Sequence, residues 1–250
     1  MSDSRAECQA LVQRHDRDRF LSTLFAPDDK RPHLLALYAF NVEILRIRDA
    51  VTEPQLGLIR LQWWRDTVES LYEEQGASGH PVAEALGAAI AQGHLPKQAL
   101  LDLITAHECD LYDDPMPDVT ALEAYLGETA SRLIQMAAMI LDPARAPRAS
   151  EAAGLGGVAQ GLALVLGDPR HRGPFLPSGM SLEAAIAHAR RRLTEAEALL
   201  PAVPKSLLPA FLPLSLTATY LNQIARAPDV PLSVSPLRRQ LIMWWTARRW

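Results

Sequence analysis

Prolines stand between the apolar-periodic segments of this sequence and seldom inside them. Within a helix a proline removes a backbone donor and clashes with the preceding turn, but at the first turn or just past the end it fits without strain. The nineteen prolines therefore act as punctuation. The stretches they separate predict helices over residues 4–24, 33–51, 55–75, 82–92, 97–112, 120–141, 150–166, 181–200, 205–225 and 236–249. Alanine and leucine dominate these stretches, and no β-branched alternation extends over four residues, so the pattern is all-α. No repeat or low-complexity linker divides the chain. With 48% hydrophobic and 22% charged residues among 250, it reads as one helical-bundle domain over 1–250 with a substantial core. The loosest segment, DPRHRGPFLPSG at 168–179, has the composition of a loop that forms the mouth of a pocket.

Charge and cysteine content exclude several classes. A net charge of -4 offers no basic face to release counterions from phosphates, so nucleic acid is not an expected partner. Cys8 and Cys109 are too few for a disulfide framework and are expected as reduced thiols. The opening residues mix acids and bases with no apolar core, so no secretory or transit segment is read there and the expected location is cytoplasmic. The most apolar stretch, residues 152–166, is shorter than the roughly 20 residues of a membrane span and reads as a buried helix.

Six pieces occur in a fixed order: RFLSTLFAPDDKRPHLLALYAFN at 19–41, HPVAEAL at 80–86, LPKQALLDLITAHECDL at 95–111, AYLGETASRLIQMAAMIL at 124–141, GLGGVAQGLALVLGD at 154–168 and RGPFLP at 172–177. Together they resemble the squalene/phytoene synthase family over residues 14–250. The resemblance implies the isoprenoid synthase fold, a helical bundle around a central cavity. Members of that family join two prenyl diphosphates head to head, using paired aspartates on facing helices to hold Mg²⁺ against the diphosphate. Aspartates at i and i+4 share one helix face, and a hard cation needs several carboxylate oxygens.

In that register the first aspartate pair falls on Leu45 and Asp49, with Arg46 and Arg48 among them, and the second leaves only Asp168. Asp49 and Asp168 are thus the residual catalytic candidates, and no metal site or cofactor is expected. An anion, if bound near Arg46 and Arg48, is expected to be held by guanidinium groups directly. Ser131 and Ile134 replace family glycines and are expected to narrow the tunnel. The resemblance assigns Phe20, Tyr38, Asn41 and Arg46 to the ligand pocket from the first segments, and Arg65, Tyr125 and Gln160 from later ones.

The run ALYAFNVEILRIRDAVTEPQLGLIRLQWWRDTVESLY at 36–72 resembles a divergent branch of the family, the one that includes a mitochondrial complex I assembly factor. That resemblance implies a non-catalytic role in assembling a respiratory or other membrane complex. Two alternatives stay open: a prenyl-diphosphate transferase using Mg²⁺ and the residual acids, and a binder of prenyl lipid. Arg65 can pair with Glu69 at i+4 or reach the cavity. His107, Cys109, Asp110 and Asp113 do not converge as zinc ligands and read as a solvated helix end. GLGG at 154–157 follows no strand, so it reads as a close helix-packing site. The C-terminal LRRQLIMWWTARRW sets tryptophans among arginines. It suits either peripheral contact with the inner membrane or a final helix that packs its tryptophans inward.

Overall fold

The structure, a computed structural model, describes residues 2–73 and 79–250 and contains no strand among them. The punctuation seen in the sequence is realised physically. Proline occupies the first turn of α3 (Arg31–Asp49), α4 (Pro54–Tyr72), α5 (Pro81–Gly93) and the last helix, α13 (Pro236–Arg249). The predicted segment 55–75 becomes α4, and residues 74–75 lie outside the described residues.

Two predicted helices are divided. Residues 4–24 form α1 (Ser2–His15) and α2 (Arg17–Thr23), because Asp16 leaves helical geometry and caps the Arg19 amide with its carboxylate at 3.1 Å. Residues 205–225 break into 3₁₀ turns, a short α11 (Leu208–Phe211) and α12 (Thr217–Arg226), since Pro209 and Pro213 remove two backbone donors in succession. Between them run α6 (Lys97–Ala106), α7 (Val119–Leu126), α8 (Arg132–Leu141), α9 (Ser150–Leu166) and α10 (Leu182–Leu199). A single π turn over Gly127–Ser131 makes α7 and α8 one continuous helical run.

The fold contains two compact units. The first comprises the described residues through Tyr112 plus Met136–Ala146. Its axis is α3, with Leu34, Leu37, Phe40 and Ile44 at most 2% exposed, packed against α1, α2, α4 and α5. The second, Asp113–Gln135 with Pro147–Trp250, is centred on α9, which packs on α10, α7, α12 and the π turn. Ala146–Leu166 is long and apolar enough by composition to cross a membrane, but 67% of it is buried inside the protein, as a core helix is.

The α9 glycines divide by environment. Gly157 lies so close to Ser131 that a methyl group would overlap its backbone, 2.5 Å from the nitrogen, while Ser131 donates to the Gly154 carbonyl at 2.7 Å. Nothing lies within 4 Å of where a Gly154 methyl would sit. Gly157→Ala should therefore destabilise by about 2 kcal/mol through overpacking. Gly154→Ala should be neutral or stabilise by up to about 1 kcal/mol through helix propensity. Urea denaturation of both variants checks the pair, and equal effects would refute the close contact.

Candidate functional site

The residues singled out in the sequence lie in different settings. In the first unit, Tyr38 and Asn41 are buried on α3 and Phe20 is half-buried on α2. The Arg19 guanidinium lies 5.8 Å from the Tyr38 ring centre and bonds Asp16 at 2.6 Å. Burial drives the Tyr38 phenol well above its ordinary range. Leu45, 44% exposed, is not a core residue, and Asp49 is exposed in the last turn of α3.

In the second unit, the Tyr125 ring lies 5.2 Å from that of buried Phe175. Gln160 is 2% exposed, and its Oε1 lacks a hydrogen-bond partner. Ser131 and Ile134 are buried. Asp168 accepts from the Arg170 amide at 3.1 Å and bonds the His171 ring at 2.9 Å. Burial raises its pKa, but the bonds from His171 and Arg170 outweigh that and hold it below the carboxylate range.

The 168–179 segment is pinned within its own unit. Phe175 is buried, Arg172 bonds the Pro228 carbonyl and, at 3.0 Å, Asp229, and the Met116 amide donates to the Pro174 carbonyl at 2.7 Å. Two local readings are corrected. Arg65 does not pair with Glu69; its guanidinium bonds Glu108 and reaches Thr105 at 3.4 Å. His107 and Asp110 form a buried pair at 2.7 Å where a solvated helix end was expected, because the chain folds into a 3₁₀ turn over Cys109–Leu111.

The cavity that brings sequence-marked side chains together is in the first unit, between α3 and α4. About 250 Å³ in volume, it is lined by Glu43, Arg46 and Ile47 from α3 and its cap Ala50, by Arg60, Trp63 and Trp64 from α4, and by His80. Spacings of three, four and seven residues place the α3 lining on one stripe. At about 100° per residue that stripe is centred roughly 150° around the helix from Asn41, Leu45 and Asp49. Arg46 therefore shares its pocket with Arg60, and Arg48 is not in the lining. Trp63, Trp64 and His80 form a mutual cluster with ring centres 4.9–5.3 Å apart, Trp64 meeting the other two edge to face and Trp63 tilted against His80. Arg60, Trp63 and Trp64 lie within the family-like run at 36–72 and His80 opens the HPVAEAL piece, but that they meet in one pocket depends on packing between separate segments.

Whether the family's Mg²⁺-diphosphate chemistry fits is a question of donors. Asp168 is already engaged by His171 and Arg170, and Asp49 has Leu45 at i-4 on its helix. No group of three or more His, Cys, Asp or Glu is placed to hold a metal among the described residues. Mg²⁺ is commonly held through one or two carboxylates with phosphate oxygens and waters, and of the two acids here Asp168 is already bonded to His171 and Arg170.

The helical architecture is that of isoprenoid synthases. It matches a dehydrosqualene synthase with a TM-score of 0.78 at 17% identity, covering 99% of this chain and 96% of that one. A squalene synthase from Alicyclobacillus acidocaldarius matches at 0.76 and 19%, over 92% and 96% of the two chains. The family model for squalene/phytoene synthase matches residues 12–170, and the chain belongs to that family. Among its relatives are NADH dehydrogenase (ubiquinone) complex I, assembly factor 6, from Bos taurus, 30% identical over 93% of this chain and 77% of that protein, and from Homo sapiens, 30% identical over 88% and 73%.

A second polar cluster, in the other unit, is structural and was not marked in the sequence. Glu123 receives two bonds from Arg192, at 2.6 and 3.0 Å, and bonds His188 at 2.6 Å. Burial raises the Glu123 pKa, but the bonds from Arg192 and His188 prevail and hold it below the ordinary 4.5. A carboxylate with a depressed folded pKa adds stability above its unfolded pKa and loses it as pH falls through the folded one. Glu123→Gln should thus cost about 1 kcal/mol at pH 7, a modest value because both partners are partly exposed. The difference from wild type should shrink as pH falls through the lowered Glu123 pKa, below the ordinary carboxylate range, in urea titrations.

Proposed function

We infer that this chain acts without prenyl-transfer chemistry, as a helper in the assembly of a membrane respiratory complex. The observation that carries this reading is the relationship to proteins named as complex I assembly factor 6, at 30% identity across 93% of the chain. The site geometry supports it. Asp168 is committed to neighbouring cations, and the open turn of α3 that carries Asp49 presents Leu45 and Arg46 in place of further acids. Under this reading no cofactor is required, and the protein works where it is made, at the inner face of the membrane.

Helix α13 is the element suited to that location. Leu237, Leu241, Trp244 and Trp245 lie on one side of it, 42–67% exposed, while Met243 on the other side is buried. Arg248 lies 4.6 Å from the Trp244 ring and Arg249 5.7 Å from that of Trp245. Of the three tryptophans at 244, 245 and 250, Trp250 packs inward against Phe211, with its indole donating to the Val203 carbonyl at 3.3 Å. An apolar stripe flanked by arginines suits an anionic interface, where each basic residue contributes about 1 kcal/mol.

In a strain of the source organism lacking this chain, NADH:ubiquinone oxidoreductase activity of the membranes should fall. Wild type, Asp49→Asn and Asp168→Asn should all restore it, with no pyrophosphate released from farnesyl or geranylgeranyl diphosphate in Mg²⁺. Release of pyrophosphate that both variants abolish would instead establish a prenyl transferase. A prenyl lipid recovered by mass spectrometry of the denatured protein would establish a carrier.

The full-length protein should co-sediment with vesicles containing anionic phospholipid. A Trp244→Ser/Trp245→Ser variant should bind at least about tenfold more weakly, by loss of the two interfacial aromatic anchors. Equal pelleting of the two proteins would remove α13 as the membrane contact.

A further inference from the structure

The pocket between α3 and α4 opens beside a second feature that the function above does not use. Leu56, Ile59 and Trp63 are 49%, 66% and 40% exposed, and their spacing of three and four residues places them on one side of α4. Their counterparts at Gly57, Leu61, Trp64 and Val68 are buried, so α4 has its core face satisfied and a separate apolar strip turned to solvent. Trp63 belongs both to the strip and to the pocket lining.

The pocket carries net positive charge. Its lining includes Arg46 and Arg60 against a single acid, Glu43, which lies 3.7 Å from Arg46. No carboxylate pairs with Arg60 among the described residues. The Nδ1 atom of His80 is buried in the pocket wall without a hydrogen-bond partner. Two arginines bordering one pocket, with only Glu43 to offset them, favour a carboxylate over a neutral occupant.

Size selects the kind of molecule. Small-molecule sites enclose some 300–1,000 Å³ and bury most of the ligand. A cavity of about 250 Å³ with an open apolar strip alongside is closer to a receptor for one or two side chains. Tryptophan and arginine are also the residues most enriched where protein partners anchor.

We propose that the α3–α4 pocket and the Leu56–Ile59–Trp63 strip form a docking surface for an acidic, apolar-anchored segment of a partner protein. One aspartate or glutamate of the segment enters the pocket against Arg46 and Arg60. Its apolar neighbours cover Ile59 and Trp63. The proposal takes the partner to be a protein on the strength of the assembly reading. Its geometry is independent of which complex is assembled, and the surface lies on the side of α3 away from Leu45 and Asp49.

The test is selection of a random peptide library on the full-length protein, followed by titration of synthetic peptides using tryptophan fluorescence. Enriched sequences should pair an acid with aromatic or branched aliphatic residues. Affinity should fall at least tenfold in Arg60→Glu and in Trp63→Ser, severalfold in the milder Arg60→Gln, and not at all in Arg145→Glu, an exposed arginine elsewhere. Residues 60 and 63 are exposed, and thermal melts alongside confirm that each variant folds. No enrichment, enrichment of basic peptides, or affinity unchanged in Arg60→Glu would overturn the proposal. So would a dimer that Trp63→Ser dissociates, which would assign the strip to a second copy, or anionic-vesicle binding that Trp63→Ser abolishes, which would assign it to a membrane. In the deletion strain, full rescue by Arg60→Glu would overturn this surface and leave the assembly reading intact. Failure of wild type to rescue would remove that reading and leave the peptide measurement to decide the surface.

Discussion

The first unit depends on the burial of α3. From Leu34 to Ile44 this helix is enclosed on nearly every side, and each large side chain there contributes on the order of 1.5–3 kcal/mol by leaving water. Such a helix cannot rotate to present a different face. Its last two turns, where the sequence changes to Glu43, Arg46, Arg48 and Asp49, are therefore held in a fixed orientation by the apolar turns before them. One stripe, carrying Glu43, Arg46, Ile47 and Ala50, meets α4 and becomes a pocket wall; another, carrying Leu45 and Asp49, is exposed. The chemistry available at the C-terminal end of α3 follows from packing at its N-terminal end.

In the second unit the comparable constraint is the approach of α9 to the π turn. Gly157 admits the backbone of Ser131 where any side chain would overlap it, and the Ser131 hydroxyl satisfies the Gly154 carbonyl. The extra residue of a π turn is costly in isolation and persists where neighbouring contacts hold it. Here α9 supplies them. Glycines at 156, 157 and 161 let α9 lie close to its surroundings, and this helps bury a stretch apolar enough to pass for a membrane span.

Much of the fold was legible because it is written locally. Proline positions and apolar periodicity mark most helix ends to within a few residues, and the caps at Asp118, Ser181 and Ser235 are ordinary short side chains accepting an amide. The failures are also local in origin. Asp16 competes for a backbone amide in the middle of a periodic run, and two prolines four residues apart fall inside one that looked continuous. The site was less legible because it depends on distant pairings. Arg46 can be singled out from the chain, but that it lines one pocket with Arg60 is set by how α3 and α4 pack. That Arg65 finds Glu108, and Glu123 finds Arg192, reflects separations of 43 and 69 residues that no periodicity encodes.

What remains is why a fold associated with handling diphosphates should carry its exposed apolar side chains beside arginines. In a synthase, charge at the site serves a leaving group, and the acids act through a metal. In this chain the notable cations are placed otherwise. Arg46 and Arg60 border a pocket too small for a long prenyl chain, and Arg248 and Arg249 flank an exposed tryptophan pair on a different unit. Both arrangements join a guanidinium to an aromatic surface, a combination that binds by desolvation and charge together without requiring bond breaking. A helical scaffold leaves room for such placements because its core, formed by the inward stripes of α3 and α9, is indifferent to what the outward stripes present. On such a scaffold recognition surfaces can be added at outward positions alone, while the fold and its packing stay those of the family.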